Sequence, residues 1–408
     1  MHLSGFFIVF LFRPMLEIVL HDRAAWRKHF LPLVFTRPVG ELRVGILTFR
    51  EKWQLIFGSQ ITFYTEQYLQ SRFPSPPLST QYLVIAANIF PNKQLIEALS
   101  TLPDETVLEK NGHWLAYRTA HRSDDPYRYT IDRIQYGGDF DKLSTLTDIF
   151  IHNRLQIELD YTLLISGKES SPLDRSNFVH GDQLFVGKHV EALASTFNTV
   201  NGPIFIDDHA VIEQGCHIKG PVAIGSGSRL KMGSKIYPNV TIGPGSTVSG
   251  EINNTVIWGN SAKGHDGYLG CSVIGECCNI GAGTNNSNLQ NNWGEVSVYD
   301  YSLKGYRKTG QAKVGVVMGD YAMCGINSAI STGTIIGVGA QIAKSNIIPK
   351  FVADFTWLTD FKQEEYRLDK FESMLESRAK VRKEAIDERD VCILREVYTL
   401  TEEIRKNL

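Results

Sequence analysis

IDDHAVIEQGCHIKGPVAIGSGSRLKMGSKIYPNVTIGPGSTV, residues 206–248, returns an aliphatic side chain at every sixth position without a miss. A helix repeats every 3.6 residues and a strand every 2, so neither accounts for this spacing. The chain must instead turn a corner every six residues and point the aliphatic residue inward each time. The predicted inward positions are Ile206, Ile212, Ile218, Ile224, Leu230, Ile236, Ile242 and Val248.

Three such turns close a triangular coil, and stacked coils pair as parallel strands about 4.8 Å apart. We therefore expect a parallel β-helix over residues 184–357, with a loop leaving it at residues 283–313. After residue 248 the register slips by two and later slips again. The predicted inward positions beyond the slips are Val256, Ala262, Tyr268, Ile274, Ile280, Met318, Cys324, Ile330, Ile336, Ile342 and Ile348.

Length and composition limit the remaining classes. With 408 residues, 43% of them hydrophobic, the chain is long enough for two or three domains. A net charge of -2 gives no general attraction to nucleic acid or membranes, so we expect small molecules as partners. The six cysteines lack metal-site spacing, which favours free thiols in the cytoplasm. The apolar run at residues 5–12 is too short to span a bilayer, and residues 1–14 are predicted to be a non-native extension.

The regions on either side of the repeat have other patterns. Alternating strands and helices predict an α/β domain over residues 15–166, with strands at 16–20, 81–87 and 113–119 and a helix at 92–99. A polar stretch at residues 167–183 is predicted to be a linker. Residues 358–408 are highly charged with apolar residues at helical spacing, which predicts one or two helices.

The chemistry-bearing residues lie just before the predicted loop. His265 is preceded by a glycine, Tyr268 follows three residues later, and amide side chains follow at residues 285–288. A histidine, a tyrosine, amides and open backbone can supply a proton acceptor, partners for sugar hydroxyls and an oxyanion site. Considered alone, a histidine on a turn is also consistent with a solvated surface residue.

The spacing of these residues carries a resemblance. Residues 264–270 have the pattern G-H-x-x-Y-L-G, and N-I-G-A-G-T follows after eight residues, with a further asparagine at 288. This resembles, without a gap, the acetyltransferase domain of the bifunctional N-acetylglucosamine-1-phosphate uridylyltransferase/glucosamine-1-phosphate acetyltransferase family. The resemblance implies a left-handed β-helix that assembles as a homotrimer, with acetyl-CoA as co-substrate.

The same resemblance implies roles for single residues. His265 would be the general base that removes a proton from the amine of the sugar. Tyr268 and Asn279 would hold the sugar phosphate or position the amine. Asn288 would contact the amine and the acetyl group.

Coenzyme A contacts are implied further along the chain. Ala282 would offer its backbone to the thioester, and Gly283 and Lys344 are assigned to the same ligand. Ile326 stands where the family has a serine, and Lys344 where it has an alanine.

In this family, an arginine and a lysine bind the sugar phosphate. Residues 251–262 contain no match to either of them. Lys231, Lys235 or Lys263 is the candidate to replace them.

The first domain carries a second resemblance. FLPL at residues 30–33, TRP at 36–38 and LRVG at 42–45 resemble the motifs of sugar-phosphate nucleotidyltransferases. Residues 36–53 are similar to a sugar nucleotidyltransferase-like family of Bacteroidetes-type bacteria, and this similarity extends through the β-helix. It implies nucleotide contacts at Arg37 and Asn153, with Mg²⁺ as a metal ion. For Arg37 a structural salt bridge is an equal alternative.

Two positions depart from the nucleotidyltransferase pattern. Residues 21–26, HDRAAW, contain no glycine where a phosphate-cradling G-x-G-T-R loop is expected. Asn88 replaces the magnesium-binding aspartate and is a weaker, neutral ligand, so a structural role is favoured there over a nucleotide contact.

Three functions remain open. The first is a transferase that N-acetylates an amino-sugar 1-phosphate in the β-helix and transfers a nucleotidyl group in the first domain, with UTP or dTTP as donor. The second is a nucleotidyltransferase whose β-helix only oligomerises. The third is a regulatory trimer that senses a nucleotide sugar. The intact series from His265 to Asn288 favours the first.

Overall fold

The structure, a computed structural model, describes residues 16–23 and 25–406. The chain divides into two units. Unit 1 holds the described residues up to Arg27 together with Arg37–Leu42 and Leu47–Ser144. Unit 2 holds Lys28–Thr36, Arg43–Ile46 and the described residues from Thr145 onward. The extension predicted at residues 1–14 lies outside the described residues.

Unit 1 is built on a six-stranded mixed sheet in the order β2-β1-β3-β5-β4-β6. Strand β1 runs parallel to both β2 and β3, whereas β5 is antiparallel to its neighbours β3 and β4, and β4 is parallel to β6. The strands predicted at 16–20, 81–87 and 113–119 are confirmed within one residue. The strands are β1 (Leu16–His21), β2 (Ile61–Tyr64), β3 (Gln81–Ala86), β4 (Thr106–Lys110), β5 (His113–Thr119) and β6 (Asp132–Gln135).

Two α-helices of unit 1 begin at capping residues that the sequence supplies. Thr48 and Glu51 form a capping box at the start of α1 (Phe49–Phe57). The side chain of Asn92 accepts the N–H of Leu95 at the start of α2 (Lys93–Ser100), which confirms the predicted helix. Short 3-10 helices occur at Ala25–Phe30, Val39–Glu41 and Gln67–Leu69.

Unit 2 contains a parallel β-helix with three faces, as predicted. Face A comprises Phe178–His180, Thr196–Asn198, His217–Lys219, Lys235–Ile236, Glu251–Asn253 and Tyr268–Gly270, and is continued by Asn285–Asn286 and Ala329–Ile330. Face B comprises Leu184–Val186, Ile204–Ile206, Val222–Ile224, Val240–Ile242, Val256–Ile257, Val273–Ile274, Val316–Met318, Thr334–Ile336 and Phe351–Val352. Face C comprises Glu191–Ala192, Val211–Ile212, Arg229–Leu230, Thr247–Val248, Ala262–Lys263, Asn279–Ile280, Met323–Cys324, Gln341–Ala343, Thr356–Thr359 and the antiparallel Gln363–Glu365.

The six-residue repeat forms the interior of this β-helix. Every predicted inward residue from 206 to 248 and from 318 to 348 is between 0 and 3% exposed. Each fully buried aliphatic side chain contributes about 1.5–3 kcal/mol relative to leaving it in water. These positions form one continuous apolar column that stabilises the stack of coils.

The predicted register after residue 248 is wrong by one residue over two coils. The inward side chains there are Ile257, Lys263 and Leu269 in place of the predicted Val256, Ala262 and Tyr268. The cause is a short coil. Leu230 pairs with Val248, eighteen residues later, but Val248 pairs with Lys263, only fifteen residues later. The residues that this coil lacks are divided between two of its sides. The prediction placed one slip of two residues after residue 248, so its inward positions were displaced.

The predicted loop leaves the β-helix only after Asn285–Asn286, because this strand still pairs with Ala329–Ile330. The excursion folds into an antiparallel hairpin of Ser297–Asp300 and Gly305–Lys308. A buried hydrogen bond of 2.9 Å from the hydroxyl of Tyr301 to the carboxylate of Asp354 fastens the hairpin to the coils of face B. The chain re-enters the β-helix at Val316–Met318.

Four α-helices are described in unit 2 outside the coils of the β-helix. Helix α3 (Asp148–Ile165) falls in this unit, although the sequence boundary at residue 166 groups it with the first domain. Strand Phe178–His180 lies inside the predicted linker, so the first coil begins earlier than residue 184. Helices α4 (Leu368–Arg382), α5 (Glu388–Leu400) and α6 (Glu402–Arg405) form the expected C-terminal helical segment. Within the described ranges, no helix is both long and apolar enough to cross a membrane.

Candidate active site

His265 lies on the corner turn between the face C strand Ala262–Lys263 and the face A strand Tyr268–Gly270, and it is exposed. The backbone of this turn is fixed from two directions. From the interior, Nζ of Lys263 donates hydrogen bonds to the carbonyls of His265 and Asp266, the second at 3.0 Å. From the next coil, the N–H of Gly283 donates to the carbonyl of Asp266 at 3.0 Å. The imidazole is therefore presented to solvent on a rigid support.

Tyr268 and Asn288 are in direct contact beside this turn. Nδ2 of Asn288 donates to the Tyr268 hydroxyl at 3.0 Å and to Sγ of Cys271 at 3.3 Å. The backbone N–H of Tyr268 donates to Oδ1 of Asn285 at 2.7 Å. Burial raises the pKa of Tyr268, so its hydroxyl keeps the proton that it can donate to a ligand. Two of the predicted substrate residues, Tyr268 and Asn288, are therefore hydrogen-bonded to each other.

The turn at Ala282 and Gly283 lies one coil beyond the His265 turn, at the same corner. The carbonyl of Ala282 accepts the N–H of Asn327, which belongs to the following corner, at 2.8 Å. Gly283 has a φ of 70°, and a Cβ there would lie 2.2 Å from Oδ1 of Asn327. Only glycine fits this close approach without strain. The predicted coenzyme A residues therefore lie next to the histidine turn along the axis of the β-helix.

Asn279 and Lys344 lie on later coils than the histidine turn. Asn279 is exposed on face C, where it pairs with Ala262 and Met323 of the adjacent coils. Lys344 is half-buried, and its carbonyl accepts a hydrogen bond from the hydroxyl of Ser328 at 3.2 Å. Their roles toward substrate and coenzyme stay predictions.

The three candidate phosphate lysines occupy different places. Lys263 points into the β-helix and is 2% exposed, and burial lowers its pKa to about 8. Lys231 packs against the histidine turn, because a Cβ built on Gly264 would lie 3.9 Å from its Cδ. Lys235 is exposed on face A, in register with Glu251, which is in turn in register with Tyr268. A contact of Lys231 or Lys235 with the sugar phosphate stays a prediction.

An open cavity of about 830 Å³ continues the site along face A. Amide and hydroxyl side chains dominate its walls, with Ile330, Ile347 and Lys350 at its far side. Asn285 lines this cavity and also accepts the N–H of Tyr268, whereas the sequence analysis included it only in the amide cluster of residues 285–288, without a role of its own. The signal was available, since Asn285 lies one 17-residue coil after Tyr268 on the same face.

Unit 1 has a different arrangement at the end of β1, where a phosphate loop is expected. The carboxylate of Asp22 is 1% exposed and pairs with Arg27, which is also buried. It also accepts the backbone N–H of Val39 at 2.7 Å. Burial raises the pKa of Asp22, and Arg27 opposes this effect. An internal ion pair therefore takes the place that an anionic ligand has in a glycine-rich loop.

The predicted nucleotide residues of unit 1 are buried. Asn88 is 6% exposed, and its Nδ2 donates to the carbonyl of Leu143 at 2.7 Å. Arg37 is 8% exposed, and its carbonyl accepts Nη2 of Arg27 at 3.1 Å. Their contact with a nucleotide stays a prediction.

The donor groups at this edge do not fit the expected Mg²⁺ ion. Asn88 directs its amide N–H to a carbonyl, and Asp22 is paired with an arginine. Asp124, which also acts on His21 at this strand end, is paired with Arg23. Across the described ranges no group of three or more His, Cys, Asp and Glu side chains could hold a metal ion. No step of the chemistry below is routed through a metal.

Asn153 lies in unit 2, where its amide links three segments of the chain. Oδ1 accepts the N–H of Gly45 at 2.8 Å and the hydroxyl of Thr241 at 3.1 Å. Nδ2 donates to the carbonyl of Asn239 at 3.0 Å. Asn153 is fully buried and has a structural role in these contacts, while its predicted nucleotide contact stays untested.

Parts of the chain are similar in sequence to known proteins. Residues 18–169 match the sequence model of a family described as sugar nucleotidyl transferase. The bifunctional protein GlmU of Methanocaldococcus jannaschii is 32% identical over 117 residues, which are 29% of this chain and 28% of that protein. The bifunctional sugar-1-phosphate nucleotidylyltransferase/acetyltransferase of Sulfurisphaera tokodaii is 37% identical over 103 residues, 25% of each chain. The chain therefore spans about a quarter of the length of these curated relatives.

Two solved structures also align with the chain. The UDP-N-acetylglucosamine acyltransferase of Arabidopsis is 15% identical, with a TM-score of 0.29, over 58% of this chain and 97% of that one. A hexapeptide transferase family protein from Anaplasma phagocytophilum is 14% identical, with a TM-score of 0.17, over 58% of this chain and 92% of that one. The fold assignment depends on the strand pairing described above, not on these scores. Residues 18–169 are therefore similar to the sugar nucleotidyl transferase family, and about a quarter of the chain is similar, at 32–37% identity, to part of the bifunctional nucleotidyltransferase/acetyltransferase proteins.

Proposed function

We propose that the β-helix transfers an acyl group from acyl-CoA to the amine of an amino-sugar phosphate. Acetyl-CoA and glucosamine 1-phosphate are the first pair of substrates to test. The observation that carries this proposal is the exposed His265 on a fixed corner turn, beside the hydrogen-bonded pair Tyr268 and Asn288.

In this reaction the sugar amine attacks the carbonyl carbon of the thioester, and a C–N bond replaces the C–S bond. His265 accepts the proton that the amine loses and can return it to the departing thiolate of coenzyme A. Tyr268 and Asn288 are suited to orient the amine, since a hydroxyl donor and a carboxamide meet there at 3.0 Å. Lys231 and Lys235 supply positive charge for the sugar phosphate from the preceding coils.

Nucleotidyl transfer by unit 1 is the second part of the proposal, and the family match over residues 18–169 favours it. Nucleotidyl transfer is proposed separately from acyl transfer, because the Asp22–Arg27 pair occupies the end of β1. A unit that binds a nucleotide sugar without catalysis is the alternative there. UTP or dTTP is the donor to test.

The test follows two products separately. The protein is incubated with acetyl-CoA, glucosamine 1-phosphate, UTP and Mg²⁺, and free thiol and pyrophosphate are measured in parallel. Thiol release supports the acyl half, and pyrophosphate release supports the nucleotidyl half. Thiol without pyrophosphate would leave only the β-helix as an enzyme.

His265→Ala should lower kcat for thiol release by roughly 10²- to 10⁴-fold, the range expected for a lost general base. The matched control is His217→Ala, because His217 is also exposed on the β-helix but lies three coils earlier on face A. Full activity in the His265 variant would refute the assigned role.

We also propose that the chain acts as a homotrimer, on the resemblance of its β-helix to the acetyltransferase domain. Light scattering at micromolar concentration should give about three times the 45.8 kDa chain mass. A mass of one chain would contradict this.

A further inference from the structure

Lys263 occupies an interior position of the β-helix that the repeat reserves for aliphatic residues. In the same row of face C, it is in register with Val248 in the coil before, and Ile280 follows in the coil after. Both of these neighbours are buried aliphatic residues, and Lys263 is itself 2% exposed. A lysine here costs stability, because an ammonium group loses its hydration when it is buried. Its presence therefore needs an explanation other than packing.

The hydrogen bonds of the Lys263 ammonium group lead to one feature, the turn that carries His265. Its Nζ donates to the carbonyls of His265 and Asp266. The turn is packed closely on the ammonium group, since a Cβ on Gly267 would lie 3.1 Å from Nζ and 2.2 Å from the carbonyl oxygen of Thr284. A glycine at this position, with a φ of 137°, allows the turn to approach Nζ.

We propose that Lys263 is a positioning residue, whose ammonium group holds the two carbonyls of the turn so that the imidazole of His265 points at the bound amine. The inference rests on the proposed acyl transfer and adds a residue that acts only through His265. It accounts for a buried cation whose polar partners are backbone carbonyls of the candidate catalytic turn. Lys263 is thereby separated from the half-buried Lys231 and the exposed Lys235, which are left to bind phosphate.

The test compares two substitutions in the same interior row. Lys263→Met keeps the length and apolar stem of the side chain but removes the donors. Val248→Met changes the interior one coil away without a hydrogen bond to the turn. Lys263→Met should lower kcat for thiol release by about 10- to 100-fold, since small misplacements of a catalytic group have effects of this size. The KM values should change less than threefold, and Val248→Met should retain a kcat near that of the unmodified protein.

A second measurement does not depend on activity. The imidazole of His265 is followed by NMR in protein labelled at histidine Cε1, with His265→Ala used to assign the signal. In Lys263→Met, we expect the His265 signal to move and broaden while the other histidine signals stay in place. Thermal unfolding should show a melting temperature equal to or above that of the unmodified protein, because a buried charge has been removed.

The outcomes separate the two proposals. An unmodified protein without acyl transfer, combined with a shifted His265 signal in Lys263→Met, would refute the proposed function and keep the positioning role. An unchanged His265 signal would overturn the positioning role, whatever the activity. Unchanged kcat in an active protein would overturn it as well.

Discussion

The end of strand β1 in unit 1 and the His265 corner in unit 2 each contain a buried charged group next to the place where chemistry is expected. In unit 1 the charge is a carboxylate, Asp22, which is neutralised by Arg27 and closed off by a backbone N–H of Val39. In unit 2 it is the ammonium of Lys263, which holds the carbonyls of an exposed turn. The comparison teaches that a buried charge can close one candidate site and support another.

The two places differ in which polar groups remain available to bind a ligand. At the end of β1, the internal carboxylate already accepts the donors that would serve a phosphate. At the corner, the carbonyls of the turn are occupied, but the side chain of His265 remains exposed. This favours the β-helix over the first domain as the site of catalysis.

The largest expected effect comes from breaking the ion pair of unit 1. Asp22→Asn should lower the free energy of unfolding by about 3–5 kcal/mol, because it leaves Arg27 buried without its counter-ion. Hydrogen exchange of the backbone amides of β1 and β3, measured at increasing urea concentration, would give the change in the free energy of unfolding. Asp124→Asn is the control, since its pair with Arg23 is about half exposed and should contribute less than about 1 kcal/mol. A loss no larger than that of the control would show that the pair does not stabilise this edge.

The second prediction concerns acid sensitivity in unit 1. His21 is 3% exposed, and burial lowers its pKa to about 4 from 6.5. The unfolded chain therefore binds the proton first, so stability is complete above pH 6.5 and falls by about 3 kcal/mol as the pH approaches 4. His21→Phe should remove this part of the pH dependence in urea titrations, whereas the exposed His113→Phe should keep it. Equal acid sensitivity in both variants would contradict the prediction.

The corresponding prediction for the β-helix has its window at alkaline pH. Burial lowers the pKa of Lys263 to about 8 from 10.5, so the unfolded chain binds more protons between these values. Its cost of about 3 kcal/mol is complete below pH 8 and is relieved as the pH rises to 10.5. Unfolding of the unmodified protein and of Lys263→Met should therefore differ most at neutral pH and converge near pH 10.5. A difference that stays constant with pH would mean that Lys263 does not titrate in this range.

The smallest expected effect tests the ligand side of the corner. Tyr268→Phe removes the hydroxyl that meets Asn288, and the loss of one hydrogen bond of about 1 kcal/mol should lower kcat/KM for the amino sugar about fivefold. Tyr237→Phe, at an exposed residue of face A, should have no effect. An equal kcat/KM in the two variants would remove Tyr268 from the substrate site.

Much of unit 2 could be predicted because a six-residue period has a single structural solution. The spacing alone identified the interior from Ile206 to Val248, and burial confirms it. The site residues followed from a resemblance in sequence and stay predictions, and the contact between Tyr268 and Asn288 is seen only in the structure. Asn285 was assigned only to the amide cluster, because its hydrogen bond to Tyr268 joins two neighbouring coils and its 17-residue spacing gains meaning only once the length of that coil is known.

The amino-acid sequence by itself determined the repeating coil, the histidine turn and the absence of glycine after β1, since each depends on residue type at a fixed spacing. Only the tertiary structure decided which side chains point inward after the short coil, because the missing residues were shared between two sides. That decision moved Lys263 from a predicted phosphate ligand to the interior of the β-helix. It also placed Asp22 against Arg27, since the partner of a buried charge is chosen by packing between segments and not by local sequence.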